Sequence, residues 1–210
     1  MNQEAHFGHT YREWQLGDLF PLLETIFKDE SVKVVYDIGA CVGGWSEVVL
    51  DRFGEKEIYA FEPDPTNCDY IAEHSPSVKL IRKGIYYGKD KSHLYNWGNN
   101  NCGGYAVEGI FSETDPNTRK REVVVDLVTL ESLNLPKPDL IKLDIEGAER
   151  NVIEHSEMIK TTPYILVEWH YTDGVYTEEA HSFFKKHLPN HILLPELVAM
   201  GNMFILKYEK

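Results

Sequence analysis

Cysteine is scarce in this chain: three residues in 210, at Cys41, Cys68 and Cys102. The count is odd and no Cys-x-x-Cys occurs, which argues against a disulfide framework or a zinc knuckle and for reduced thiols in a cytosolic setting. Long hydrophobic runs are missing as well. No apolar stretch approaches the ~20 residues of a spanning helix, and the opening "MNQEAHFGHTYREW" has neither the apolar segment nor the cleavage site of a secretory leader. The expectation is a cytoplasmic chain with no membrane insertion. Basic charge is in deficit: 21 Lys and Arg stand against 34 Asp and Glu, a net charge of −13. Nucleic acid and anionic membrane are bound by replacing counterions with Lys and Arg, so neither partner is expected. The one dense basic run, "TRKRE" at Thr118–Glu122, reads as a solvated loop.

What is present is an ordinary globular composition, 42% hydrophobic and 26% charged, enough to bury one core. No repeat, low-complexity tract or linker divides it. "TYREWQLGDLFPLLETIFK" (Thr10–Lys28) has helical spacing, with Pro21 starting a second segment. "KVVYDIG" is a β-branched apolar run, hence a buried strand. "GWSEVVLDRFG" sets Trp45, Val48, Val49 and Phe53 on one helical stripe and stops at Gly54. "EIYAFEP" is a strand, "DPTNCDYIAEH" a helix opened by Asp-Pro, and "SVKLIRKG" a strand. "SHLYNW" and "REVVVDLVTL" read as strands around a loop rich in Asn and Gly. The alternation then resumes with strand "DLIKLDIEG", helix "AERNVIEHSEMI", strand "YILVEWHY", helix "TEEAHSFFKKHL" and closing strands "HILLPEL" and "NMFILKY". Strands separated by helices demand right-handed parallel crossovers. The fold class expected is α/β, a three-layer sandwich on a mainly parallel, seven-stranded sheet.

Such sheets bind ligands beyond the carboxyl ends of their strands. Four of those ends carry acids: Asp37, Glu62, Asp144 and Glu168. Acids there suit a ligand with hydroxyls and a positive centre and suit a pyrophosphate poorly. The turn "DIGACVGGWS" also lacks the second glycine of the dinucleotide fingerprint, which counts against an NAD-type oxidoreductase. Asp37 can take the ammonium of an amino acid. Glu62, 23 residues after Gly39, can accept both ribose hydroxyls. S-Adenosylmethionine has these groups and a sulfonium. The bland alternative is that Gly39 and Gly43 only allow close strand–helix packing.

"VVYDIGACVGGWS", "IYAFEPDPTNCDYI" and above all "DLIKLDIEGAERNVIEHSEMIKTTPYILVEWH" resemble the FkbM family of S-adenosylmethionine-dependent methyltransferases, over about Val32 to His170. The resemblance implies a class I methyltransferase (Rossmann-like) fold and methylation of a hydroxyl on a sugar, glycan or glycosylated natural product. By the family's motifs, Asp37, Gly39, Ala40 and Gly43 would contact the methionine part and Glu62 the ribose. Pro63 and Asp64 would line the adenosine side, Gly84 and Ile85 would lie beside adenine, and Asp144 would join the cofactor contacts. Cys41 stands where the family usually has Asn, Glu154-His155 where it has a glycine, and the last forty residues match nothing. The domain would run over 1–210: a helical cap (1–30), a cofactor-binding core (31–170), and a helix with closing strands (171–210).

Methyl transfer to an alcohol needs in-line placement and a base or a metal at the oxygen. Asp144, Glu168 and His170 are the candidate catalytic residues; Glu168 and His170, two apart in a strand, share a face. Either they bind a divalent cation such as Mg2+ or Mn2+, or His170 is a base oriented by an acid. The bland alternative is that Asp144 and Glu146 only cap and charge the start of the following helix, the role expected of Glu149; Glu146 is also a candidate for substrate contact. On the acceptor side the loop "WGNNNCGGY" offers Trp97 and Tyr105 for stacking and Asn99 and Asn101 for hydroxyls. Tyr11, Arg12 and Trp14 are a candidate lid. The expected partner is a sugar or other small-molecule hydroxyl acceptor, with the chain either free or a module of a larger glycan-synthesis protein. Alternative readings are the same fold acting on an RNA ribose, and a non-catalytic nucleotide-binding module.

Overall fold

The computed structural model describes residues 20–97, 105–107, 118–170, 176–194 and 202–209. Helix α1 (Phe20–Phe27) leads into β1 (Val34–Ile38), α2 (Gly44–Phe53), β2 (Glu57–Phe61), α3 (Pro65–His74) and β3 (Lys79–Ile81). A second group follows: β4 (Gly84–Ile85), β5 (Lys91–Trp97), β6 (Tyr105–Val107) and β7 (Thr118–Val128). The chain returns through β8 (Leu140–Leu143), α4 (Glu149–His155), β9 (Tyr164–Glu168), α5 (Tyr176–His187), β10 (His191–Leu193) and β11 (Met203–Tyr208). Among the described residues no helix is long and apolar enough to cross a membrane.

The main sheet has seven strands in the order β10-β11-β9-β8-β1-β2-β3. Its pairs are parallel except where β11 runs against β9 and β10. This is the mainly parallel, seven-stranded sheet expected from the sequence, with the reversed strand inside one edge. Period-two alternation loads both faces. Val35, Ile58, Ala60, Leu140 and Leu166 pack with Leu23, Ile26, Trp45, Val48, Val49 and Ile71 of α1, α2 and α3. Ile38, Phe61, Ile141, Leu143, Ile165 and Val167 pack with Val152 and Ile153 of α4 and Ala180 and Phe184 of α5. Strands covered on both faces read as unbroken apolar runs, which is why they were visible in the sequence.

The smaller sheet, β4-β7-β5-β6, carries its own apolar cluster of Leu94, Val125 and Leu127. The run "TRKRE" is not a loop. It lies in β7, where it pairs with β5, and Arg121 forms an ion pair with the fully buried carboxylate of Asp64. That pair ties the small sheet to the loop after β2.

The chain runs outward from β1 to β3 on one side and from β8 onward on the other. The crevice between the ends of β1 and β8 is therefore the topological switch point, where open α/β sheets bind ligands. The register sets Asp37 beside Lys142 and Ile38 beside Leu143 at its floor.

Candidate active site

Two glycine-containing turns meet at the switch point. The turn after β1 holds Gly39 and Gly43 at φ +83 and +80, with Cys41 between them at φ +51. Gly39 is required for two reasons. Its φ lies in the left-handed region, and a Cβ there would sit 1.7 Å from the Asp144 carbonyl oxygen. The turn after β8 repeats the pattern with Glu146 at φ +54 and Gly147 at φ +102. Non-glycine residues in that region are strained, and such strain collects at functional sites.

Glu62 organises the first turn. It is 4% exposed. One carboxylate oxygen accepts the Cys41 amide at 2.8 Å; the other accepts the Asp64 amide at 2.8 Å and faces Asn67 Nδ2 at 3.4 Å. Burial raises its pKa to about 7 against the lowering effect of those hydrogen bonds. Among the described residues no Lys or Arg is paired with it. A buried carboxylate with spare lone pairs fits the two hydroxyls of a ribose, so the site suits an adenosyl ligand. Ala40 and Gly39 donate to the Phe61 carbonyl, which fixes this turn beside Glu62. Gly84 lies where a Cβ would meet Leu127 at 2.7 Å and Pro63 at 3.5 Å, so Pro63, Gly84 and Ile85 form one wall.

Two cofactor residues named from the sequence have other partners. Asp37 is completely buried; it accepts from Ser46 Oγ at 2.7 Å and pairs with Lys142 Nζ at 3.2 Å. Lys142 is thus a cationic partner of Asp37, and it also donates to the Gly39 carbonyl at 3.0 Å and meets Asp144 at 3.2 Å. Asp64 caps α3 by accepting from the Thr66 amide and holds Arg121, so its carboxylate is engaged within the protein. The Cys41 thiol, pushed up to about 12 mainly by burial, is inert as a nucleophile.

The ends of β8 and β9 bring Asp144, Glu146, Glu149, Glu168 and His170 together. His170 Nδ1 lies 2.9 Å from Glu149; its Nε2 lies 3.4 Å from Glu146 and 3.7 Å from Glu168. Burial alone would lower its pKa, but Glu149, Glu146 and Asp144 together raise it to about 10. The surrounding carboxylates favour the charged ring, which weighs against the expected role of His170 as general base. The residues that bring one donor each within 4.8 Å of one another, and so could hold a cation, are Asp144, Glu146 and His170, with Glu146 in place of Glu168. Glu168 instead accepts from Asn202 Nδ2 at 3.1 Å, and its pKa is raised chiefly by burial.

Glu146 is the group with base character. At 33% exposure it is the most open member of the cluster. Burial and the carboxylates of Asp144, Glu149 and Glu168 raise its pKa to about 7, against the opposing His170 charge. A base poised near neutrality is what proton transfer from an alcohol requires. Of the acceptor residues named from sequence, Trp97 ends β5 and Tyr105 opens β6, with Asn96 opposite Tyr105; Asn99, Asn101, Tyr11, Arg12 and Trp14 lie outside the described residues.

Glu149 was missed as a site residue. Its signal was the spacing "EGAE": a glutamate three residues after a turn residue can reach back to the turn's amides, as in a capping box.

The family described as methyltransferase FkbM domain matches residues 37–190. A hexuronic acid methyltransferase, AglP of Haloferax volcanii, is 24% identical over 152 residues, covering 71% of this chain and 59% of that protein. The chain therefore spans less than two thirds of that relative's length. Among solved structures, a SAM-dependent methyltransferase from Aquifex aeolicus aligns over 99% of this chain and 98% of its own, with 13% identity and a TM-score of 0.48. Precorrin-6y C5,15-methyltransferase from Geobacter metallireducens aligns over 90% and 88%, with 13% identity and a TM-score of 0.47.

Proposed function

This chain belongs to the FkbM methyltransferase family, and from that premise we propose that it is an O-methyltransferase for a hydroxyl of a sugar, glycan or glycosylated natural product. S-Adenosylmethionine, when bound, supplies an electrophilic methyl group on a sulfonium. Glu62 accepts the ribose hydroxyls, the Gly39–Gly43 backbone carries the methionine part, and Pro63, Gly84 and Ile85 border the adenine. Asp37 acts through Lys142, whose ammonium holds both turns by way of the Gly39 carbonyl and Asp144. Glu146 takes the proton of the acceptor hydroxyl. His170 offsets the charge of the neighbouring acids and keeps Glu146 from rising further. Asp144 and Glu168 keep the field negative, which favours a sulfonium over a phosphate.

The observation that carries this reading is a pair of carboxylates across one switch point. Glu62 is buried and suited to ribose; Glu146 is open and suited to a proton. The sugar acceptor is supported by the name of the hexuronic acid relative and by the composition of the 97–105 segment. An RNA acceptor would meet a net charge of −13.

Isothermal titration with S-adenosylhomocysteine tests the cofactor half: micromolar binding is expected, and none to folded protein would sink the reading. Transfer of labelled methyl into a panel of neutral and uronic-acid glycosides tests the acceptor half. Label appearing in an RNA ribose or an amine, and in no glycoside, would overturn it.

A further inference from the structure

Glu149 has more partners than a helix start needs. It is the first residue of α4 and 1% exposed. One oxygen accepts the Ile145 amide at 3.0 Å and faces His170 Nδ1 at 2.9 Å; the other accepts the Gly147 amide at 3.0 Å. The two amides flank Glu146, the residue held at φ +54. A left-handed backbone is strained for a side-chain-bearing residue, and this one persists because its neighbours are pinned on either side. The ring that Glu149 holds by Nδ1 presents Nε2 to Glu146. One carboxylate thus fixes the backbone beneath Glu146 and the cation in front of it.

We infer that Glu149 is a positioning residue for methyl transfer, fixing the 145–147 turn and the His170 ring together and so setting the Glu146 carboxylate. The inference rests on the function proposed above. Glu149 touches neither acceptor nor cofactor in this role; it acts through Glu146 and His170. The charged groups facing the ring are Glu149 at Nδ1, Glu146 and Glu168 at Nε2, and Asp144 close by.

The test uses the full chain with E149Q, which keeps an acceptor oxygen for the amides and loses the charge, and E149A, which loses both. Histidine 15N spectra, with His170 assigned through H170Q, report the hydrogen bonding of its two nitrogens. The wild type is expected to show Nδ1 in a hydrogen bond that E149A loses. E149Q is expected to bind S-adenosylhomocysteine within threefold of wild type, with kcat at least tenfold lower and KM within threefold. E149A should lower kcat further. A His170 Nδ1 signal unchanged in E149A, or an unchanged kcat, would overturn the inference and leave Glu149 a plain structural residue. A wild type that binds no S-adenosylhomocysteine sinks the proposed function instead; the spectra, which need neither cofactor nor acceptor, then decide the positioning role.

Discussion

The turns after β1 and β8 are built alike. Each sets a strained, left-handed residue in a turn with glycine, Cys41 in one and Glu146 in the other. Each is held by a buried glutamate that accepts two backbone amides, Glu62 in the first and Glu149 in the second. They differ in what else the glutamate meets. Glu62 has no cation beside it among the described residues, so capacity is left for a ligand's hydroxyls. Glu149 has the His170 ring, so its capacity is spent inside the protein. The strained residue differs to match: a thiol without chemistry on the cofactor side, a carboxylate with base character on the transfer side. On the function proposed above, one backbone device serves as a ligand cradle or as a mount for a catalytic group, according to the partner its glutamate finds.

The hardest blow to this arrangement is at Gly39, where the two turns touch. Gly39→Ala drives a Cβ into the Asp144 carbonyl at 1.7 Å. A cost of ~4 kcal/mol or more should lower the melting temperature by ~10 °C or more, read by differential scanning calorimetry, and abolish S-adenosylhomocysteine binding. A variant that melts like wild type would show that the turns are not in contact.

Glu146→Gln separates the two halves. It should lower kcat by ~100-fold, within the usual range for loss of a general base, while titration calorimetry finds cofactor-product affinity unchanged. The sign of the pH dependence follows: the ionised form is the active one, so wild-type kcat at saturation should rise with pH through about 7 and then level off. A flat profile between pH 6 and 8 would remove Glu146 from the role.

Glu62→Gln is the converse. The lost charge-assisted hydrogen bonds, about 1.5–3 kcal/mol, should weaken S-adenosylhomocysteine binding by ~10-fold or more, and wild-type affinity should increase as pH rises through about 7 and Glu62 ionises. Affinity that is independent of both the residue and pH would mean that the ribose binds elsewhere.

The smallest change is Cys41→Asn. Asparagine tolerates φ +51 better than cysteine does, so stability should rise by ~1 kcal/mol or less, with cofactor affinity equal or better. A large loss of affinity would place the thiol in the ligand's path.

Much of this was legible in the chain. Strands β1, β2, β8 and β9 are short apolar runs ending in Asp37, Glu62, Asp144 and Glu168, and the glycine turn with its downstream glutamate pointed to an adenosyl ligand. Roles among the acids were not legible. Asp37 looked free for an ammonium because its partner, Lys142, lies 105 residues away. His170 looked like a base because nothing in "VEWHY" reveals that Glu149 and Glu146 flank the ring. "TRKRE" looked solvated because charge alone does not say that a strand carries Arg121 to Asp64.

The division has a physical cause. Period and turn chemistry are local, so the sequence by itself determined the elements, the parallel crossovers and which residue types stand at the strand ends. Protonation and pairing depend on burial and on charges within a few ångströms, and these exist only once β1 and β8 lie side by side. Only the tertiary structure decided that Glu62 has no cation beside it among the described residues, that Glu149 holds a turn and a ring, and that Glu146 stays the most open acid of its cluster.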